Sequence, residues 1–300
     1  MSRCLVTGGA GFIGSHMVNE LLSLGHEVCV VDNESSNSNK EFYWSGDAKN
    51  YKEDIKDYSS CILPFKEFRP EYVFHMAAYA RIPPSIKNPI IACENNIIGT
   101  CNVLQLARFY KCKRVIYSST SSVYGIKNTP PHREDMNRDC LNPYSVSKGA
   151  AEDLCKMYTS LYGLETVILR YFNVYGERQP LRGQYAPVVG IFLRQKANGE
   201  LLTVVGNGKQ RRDFTNVKDV TKANILAMNS NNKNVLGEVF NVGTGKNHSV
   251  LELANMIGGE IKFLPPRQGE ARETLADISK IRLAISFEPS IKLEDYLNNV

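Results

Sequence analysis

The stretch Thr7-Gly-Gly-Ala-Gly-Phe-Ile-Gly14 limits the fold of this chain more than any other segment. It joins an apolar run at 4–7 to a segment, 12–24, in which Ile13, Met17, Leu21 and Leu24 recur at helical spacing. Gly8, Gly11 and Gly14 form Gly-x-x-Gly-x-x-Gly across that strand-to-helix joint. Such spacing allows a tight turn, lets backbone approach a pyrophosphate and packs helix closely on strand. The phosphates would sit on the unpaired N–H groups of the helix N-terminus. A glycine triplet alone is weak evidence, but here the strand and helix are both in place. The next strand-like run, 27–31, ends at Asp32, 18 residues beyond Gly14. A carboxylate there can accept from adenosine ribose hydroxyls and repels a 2′-phosphate, which favours NAD over NADP.

The pattern continues. Strand candidates lie at 50–53, 72–76, 114–118 and 166–170, and helix candidates at 59–68, 89–110 and 143–162. Alternation of buried-type strands with helices predicts an α/β chain: a Rossmann, doubly wound parallel sheet covered on both faces. After residue 170 the texture changes to a loop rich in Gly, Pro and Arg over 172–185, then a helix at 188–197. A helical pattern at 219–228 and a strand pattern at 239–242 can return to the sheet. The expected division is a dinucleotide-binding domain over 1–172 plus about 216–242. A smaller, interleaved substrate lobe would take about 173–215 plus 243–300.

Composition narrows the function classes. A chain of 300 residues with 43% hydrophobic and 22% charged residues can bury a sizeable core. The net charge of +5 suits a phosphate-bearing ligand, and no Lys/Arg block points to nucleic acid. The eight cysteines, at 4, 29, 61, 93, 101, 112, 140 and 155, contain no Cys-x-x-Cys. They read as buried thiols of a reducing compartment, not as a zinc site or disulfide framework, so no metal is expected. The first strand begins at once, which leaves no room for a signal peptide, and no apolar run approaches 18 residues. The expectation is a cytoplasmic protein with no membrane partner.

Two segments carry reactive groups. Tyr117-Ser-Ser-Thr-Ser-Ser-Val-Tyr-Gly125 packs seven hydroxyls into nine residues with no charged side chain. About 20 residues later, Tyr144-Ser-Val-Ser-Lys148 follows Asn142-Pro143 and places phenol and ammonium on one helix face. A free phenol titrates near ~10. A cation about 4 Å away is worth roughly 4 kcal/mol at an effective dielectric near 20, or about 3 pK units. Lys148, aided by an oxidised nicotinamide, could bring Tyr144 near neutrality, where a base for an alcohol proton works best. A surface i,i+4 pair is the bland alternative, and position downstream of the glycine loop argues against it.

At this point the chain resembles an extended short-chain dehydrogenase/reductase, and within that superfamily the NAD-dependent UDP-hexose 4-epimerases. The resemblance runs from Thr7 to about Leu283. It rests on Thr7–Gly14, Asp54-Ile55, His75-Met-Ala-Ala78, Asn95-Asn-Ile-Ile-Gly-Thr100, the 118–125 hydroxyl segment and Tyr144–Lys148. Arg170-Tyr-Phe-Asn-Val-Tyr-Gly176, Arg212-Asp-Phe-Thr-Asn-Val-Lys-Asp219 and Arg267-Gln-Gly-Glu270 complete it. The resemblance implies that Gly8, Gly11, Phe12, Ile13, Gly14, Asp32 and Asn33 hold the NAD pyrophosphate and ribose. It gives Asp54 and Ile55 to the adenine, and Ala77, Ala78, Asn96, Ser118, Tyr144, Lys148 and Phe172 to the rest of the cofactor. Asn173, Arg212 and Arg267 would meet a substrate diphosphate, which suits two guanidiniums. Val188 would lie near the base and Glu270, where the family usually has Asp, near the uridine ribose. Arg81 stands one position beyond a Lys that some members carry, and its role stays open. A homodimer through the 89–110 and 143–162 helices is also implied, although Ile91, Ile97, Ile98 and Leu104 could equally face the sheet.

Family dehydratases resemble this chain but place Asp-Glu after the Thr that matches Thr120, and decarboxylases place Glu second. Here Ser121 and Ser122 stand there, beside the sugar. Inversion at carbon 4 through a 4-keto sugar fits, with Tyr144, Lys148 and Thr120 as the reacting set. Thr274, four residues beyond Glu270, matches the wall beside carbon 2, and a small residue there admits UDP-N-acetylglucosamine and UDP-N-acetylgalactosamine besides UDP-glucose and UDP-galactose. The alternatives are another NAD(P)-dependent nucleotide-sugar oxidoreductase or dehydratase, and a non-catalytic dinucleotide-sensing scaffold.

Overall fold

The structure, a computed structural model, describes residues 1–36, 41–80, 82–182, 186–265 and 271–300. The first apolar run is strand β1 (Arg3–Thr7), buried from Cys4 onward. Helix α1 (Phe12–Ser23) returns along one sheet face and buries Met17, Val18 and Leu21. Leu24 falls beyond its end and is 50% exposed, so the apolar stripe is one residue shorter than its spacing suggests. β2 (Glu27–Val31) and β3 (Lys49–Tyr51) extend the sheet on one side of β1. Asp57 caps α2 (Tyr58–Phe68) by accepting from the N–H groups of Ser59 and Ser60. β4 (Tyr72–His75) then pairs with β1 on its other side.

The single helix expected over 89–110 is divided. α3 (Ile82–Lys87) precedes α4 (Pro89–Cys93), a π-helical turn (Glu94–Ile98) and α5 (Gly99–Phe109). The turn points Asn96 inward, where its amide donates to the Tyr79 carbonyl at 3.2 Å and to Ser147 Oγ at 2.9 Å. Its carbonyl accepts from Tyr79 N–H at 2.8 Å. A register break of this kind is how a helix re-aims one side chain, and hydropathy spacing does not reveal it. β5 (Arg114–Thr120), α6 (Pro143–Tyr162) and β6 (Glu165–Tyr171) follow.

Beyond β6 lie β7 (Val174–Tyr175), α7 (Val188–Ala197), β8 (Leu202–Val205), β9 (Arg211–Arg212) and β10 (Thr215–Asn216). α8 (Val217–Asn229) and β11 (Val239–Val242) then return to the sheet, as their patterns suggest. The order is β3-β2-β1-β4-β5-β6-β11, with every neighbouring pair parallel. One face is covered by a core that includes Met17, Leu21, Phe74, Phe172 and Phe240, the other by one that includes Phe65, Leu104, Tyr117 and Cys155. The chain reverses direction of winding between β1 and β4, which opens a crevice at the carboxyl ends of those strands.

A third core, around Tyr175, Phe192, Leu202, Phe214 and Leu253, belongs to the smaller lobe. There β8 pairs with β13 (Ile261–Leu264), and β9 pairs with β12 (His248–Ser249) ahead of α9 (Val250–Ile257). Ala276, Ile278, Ile281, Ile285 and Phe287, grouped by sequence with that lobe, pack in the sheet core instead. Their apolar side chains cover the flank of β11 that would otherwise face water.

α6 is tied to the sheet by charge. Glu152 accepts from Arg170 Nε at 2.8 Å and Nη2 at 2.7 Å, and from Ser119 Oγ at 2.5 Å. Glu152 is 1% exposed and Arg170 is 3% exposed, so neither charge has water to fall back on. Removing one partner leaves the other buried and unpaired, which typically costs 3–5 kcal/mol. Glu152→Gln and Arg170→Met are each expected to lower urea-unfolding stability by about 3 kcal/mol or more, whereas Glu152→Leu with Arg170→Met should recover most of it. A double variant no more stable than the singles would contradict this.

Candidate active site

The glycine loop makes the tight turn and the close helix packing that its spacing suggests. Gly8 has φ +70°, and a Cβ there would lie 2.7 Å from Ala77 N. A Cβ on Gly14 would meet the Gly8 carbonyl oxygen at 2.0 Å, so only hydrogen fits. Gly11 is the N-cap of α1 and carries no side-chain cap, so the first N–H groups of the helix face the cleft without a protein acceptor from that position. Gly8, Gly11, Phe12, Ile13 and Gly14 wall a cleft of about 280 Å³ together with Asp32, Asn33, Ile55, Ala77, Ala78, Ser118, Tyr144 and Lys148. Asp32 accepts from Ala10 N–H at 3.1 Å and Glu34 N–H at 2.8 Å, while its burial raises its carboxyl above the usual range. A backbone anion seat at one helix end and a fixed carboxylate at the next strand end fit the two halves of a dinucleotide.

Several expected cofactor residues sit behind the wall. Asn96 fastens the Tyr79 turn to α6, as described above. Asp54 caps its own turn, accepting from Lys56 N–H at 2.9 Å, while its neighbours Glu53 and Ile55 reach the cleft. Phe172 is fully buried, its ring 6.2 Å from that of Tyr124, and Tyr171 lines the cleft in its place. Tyr171 holds Ser118 by a 2.9 Å hydroxyl contact. Met76, Tyr79, Pro84 and Pro180 also line the cleft, although the sequence reading assigned none of them to the site.

At the other end of the cleft, Asn142 and Pro143 start α6 with a capping box, so Tyr144 opens the helix and Lys148 follows one turn on. Tyr144 N–H donates to Ser85 Oγ of α3 at 3.1 Å. Lys148 is 3% exposed, and burial pushes its ammonium down to about 7. Thr120 ends β5 and caps the 3-10 turn Ser121–Tyr124, its hydroxyl accepting from Ser122 N–H at 3.1 Å.

The smaller lobe supplies a second cavity of about 230 Å³, walled by Asn173, Val188, Arg212, Phe192 and Gln210 among others. Three expected substrate residues thus share one wall although 39 positions separate Asn173 from Arg212. Asn173 donates to the Asp213 carbonyl at 3.0 Å and to Thr274 Oγ1 at 3.1 Å, which brings Thr274 to the same place. Arg81, Arg267 and Glu270 lie outside the described residues.

One motif has a structural reason that spacing does not give. Ala77 N–H donates to Thr7 Oγ1 at 3.2 Å, and Thr7 Oγ1 lies 2.7 Å from His75 Nδ1. His75 Nε2 lies 3.0 Å from Thr100 Oγ1, which donates to the Asn96 carbonyl at 2.6 Å. With Thr100 already donating, His75 donates from Nε2, and a neutral ring accepts at Nδ1 from Thr7. This chain of bonds is complete with a neutral imidazole, and burial, aided by the Lys148 charge, pushes the ring down to about 3.

Comparison with known proteins agrees with this geometry. The family described as NAD dependent epimerase/dehydratase matches residues 4–243. A UDP-glucose 4-epimerase from Thermotoga maritima, solved with UDP-glucose, superposes with a TM-score of 0.92 at 37% identity, covering 98% of this chain and 96% of that one. A UDP-N-acetylglucosamine 4-epimerase from Methanobrevibacter ruminantium, solved with UDP-N-acetylmuramic acid, gives 0.90 at 35% identity over 99% and 96%. UDP-glucuronic acid decarboxylase 1 of Xenopus tropicalis is 34% identical over 99% of this chain and 70% of its own length.

The neutral His75 gives a pH dependence with a definite sign. Its folded value is depressed below the unfolded one, so its stability contribution is complete above about 6.5 and is lost as pH falls toward about 3. The loss is about 1.4 kcal/mol per pH unit. The stability gap between wild type and His75→Gln, from urea unfolding between neutral and mildly acidic pH, should narrow at that rate. A gap that does not change with pH would refute the neutral assignment.

Proposed function

The chain belongs to the NAD-dependent epimerase/dehydratase family, and on that premise we propose that it inverts the carbon-4 hydroxyl of a UDP-hexose. The observation that carries this reading is the distribution of carboxylates. Among the described residues that wall the main cleft, the only acids are Asp32 and Glu53, both at the adenosine end. The reacting end presents Ser118, Ser119, Tyr144 and Lys148. Ser121 and Ser122 form the turn where dehydratase and decarboxylase members of the family carry acids. Elimination of water needs an added acid and base, and inversion does not.

The glycine loop and Asp32 would hold NAD, which would supply a hydride acceptor and hydride donor for carbon 4. Tyr144 takes the proton from the carbon-4 hydroxyl and gives it back to the same oxygen, so protons balance over one turnover. Lys148 lowers the cost of the phenolate. Thr120 supports the same oxygen, with Ser121 and Ser122 flanking the sugar. Asn173, Arg212 and Val188, with Arg267 and Glu270, hold the uridine diphosphate, so the 4-keto sugar can turn over without leaving. The two parts of the chain thereby divide cofactor from substrate.

Thr274 is a small wall beside Asn173, and N-acetylated UDP-hexoses are proposed as substrates beside the plain ones. The protein is proposed to be cytoplasmic, as its free thiols suggest, and to form a homodimer. Ile86, Ile90 and Ile98 are 61%, 72% and 53% exposed, and on neighbouring α6 Val146 and Leu161 are 50% and 69% exposed. A second copy of the same apolar face would bury them.

The test is a panel of UDP-sugars, including UDP-glucuronic acid, read by NMR for product stereochemistry without added reduced cofactor. Inversion at carbon 4 is expected, with no carbon dioxide and no 4-keto-6-deoxy product; appearance of either would transfer the chain to another branch. Tyr144→Phe is expected to lower kcat by about 10²–10⁴ with little change in KM. Thr274→Tyr should remove turnover of the N-acetyl pair and spare UDP-glucose; equal loss on both would separate Thr274 from sugar choice.

A further inference from the structure

The ammonium of Lys148 lies 4.2 Å from the centre of the Tyr117 ring. Tyr117 is fully buried on β5, and its hydroxyl lies against Thr100, whose own proton is already given to the Asn96 carbonyl. A buried phenol oxygen so weakly bonded returns little stability, so the hydroxyl does not explain the residue. The ring face does, because a desolvated cation is attracted to the negative face of an aromatic ring.

Other groups facing Lys148 contribute less. On its own helix are Tyr144, Glu152 and Cys155, and on β4 is His75. Burial holds the Cys155 thiol well above its ordinary range, and His75 is kept neutral by its bonding chain. The Glu152 carboxylate is engaged by Arg170 and Ser119, so its field at Lys148 is largely cancelled by the guanidinium. The His75 ring packs against the Tyr117 ring at 5.6 Å, tilted by 37°, and restrains its movement.

We propose that Tyr117 is a positioning residue whose ring face keeps Lys148 charged and aimed beside Tyr144, with its hydroxyl taking no part. This rests on the reading of Tyr144 and Lys148 given above, but its test does not require turnover. The protein as purified, with lysine isotopically labelled at Cε, is titrated by NMR, and the Lys148 signal is identified by its loss in Lys148→Met. Tyr117→Phe keeps the ring and should keep the titration of the wild type. Tyr117→Leu should titrate about one pH unit lower. Phenylalanines of increasing fluorine content at position 117 weaken the ring face with little change of shape, and should lower the titration stepwise. They keep the test decisive if the leucine variant does not fold.

In the active enzyme the alkaline limb of the kcat profile should move down by the same amount with KM unchanged. The sign follows because less support for the cation lets Lys148 discharge at lower pH. Equal Lys148 titrations in the Phe, Leu and fluorinated proteins would overturn the proposal. An inactive protein that still showed the graded shift would instead overturn the epimerase reading and leave this one standing.

Discussion

The contact on which the rest of the molecule depends is between two stretches of backbone. Gly14, in the first turn of α1, packs so close to the Gly8 carbonyl that a methyl group would lie 2.0 Å from the oxygen. That approach lets the helix start directly above the end of β1 and point its unpaired N–H groups into the cleft. A side chain there would push α1 away and remove both the anion seat and the packing of Met17 and Leu21 on the sheet. Gly8 makes the same kind of approach to Ala77, so the loop after β4 is set by the loop after β1.

A second constraint concerns charge taken out of water. α6 carries Lys148 and Glu152 one turn apart, and both are nearly inaccessible. The sheet answers them differently. Glu152 receives a two-pronged guanidinium from β6 and a hydroxyl from β5, which closes its hydrogen bonding. Lys148 receives the face of an aromatic ring. A full ion pair would hold Lys148 charged too firmly to respond to a bound dinucleotide, whereas no support at all would leave it neutral. The ring is intermediate, which suits the role proposed for Lys148 beside Tyr144.

Legibility followed the physics of each feature. Glycine spacing, strand periodicity and the Tyr144–Lys148 interval are local, so the α/β plan, the tight glycine turn into α1 and the opening of α6 at Asn142-Pro143 could be read directly. Asn173, Val188 and Arg212 could be nominated by resemblance, but nothing local says that they share a wall. The π-helical turn at Glu94–Ile98 leaves the apolar period almost intact, so the break that aims Asn96 inward was not visible. Phe172 and Tyr171 illustrate the limit of parity along a strand end: one residue of slip decides which ring lines the cleft and which enters the core.

By itself the sequence determined the order of elements, the glycine joint, the acid at the end of β2 and the chemical types available at the reacting end. These follow from short-range sterics and from side-chain chemistry that no partner has to supply. The tertiary structure alone decided that His75 is a neutral link between β1 and α5, that Glu152 belongs to Arg170 and that Tyr117 faces Lys148. Each of these joins residues on different elements, and the state of a buried charge depends on what surrounds it in space, not on what precedes it in the chain.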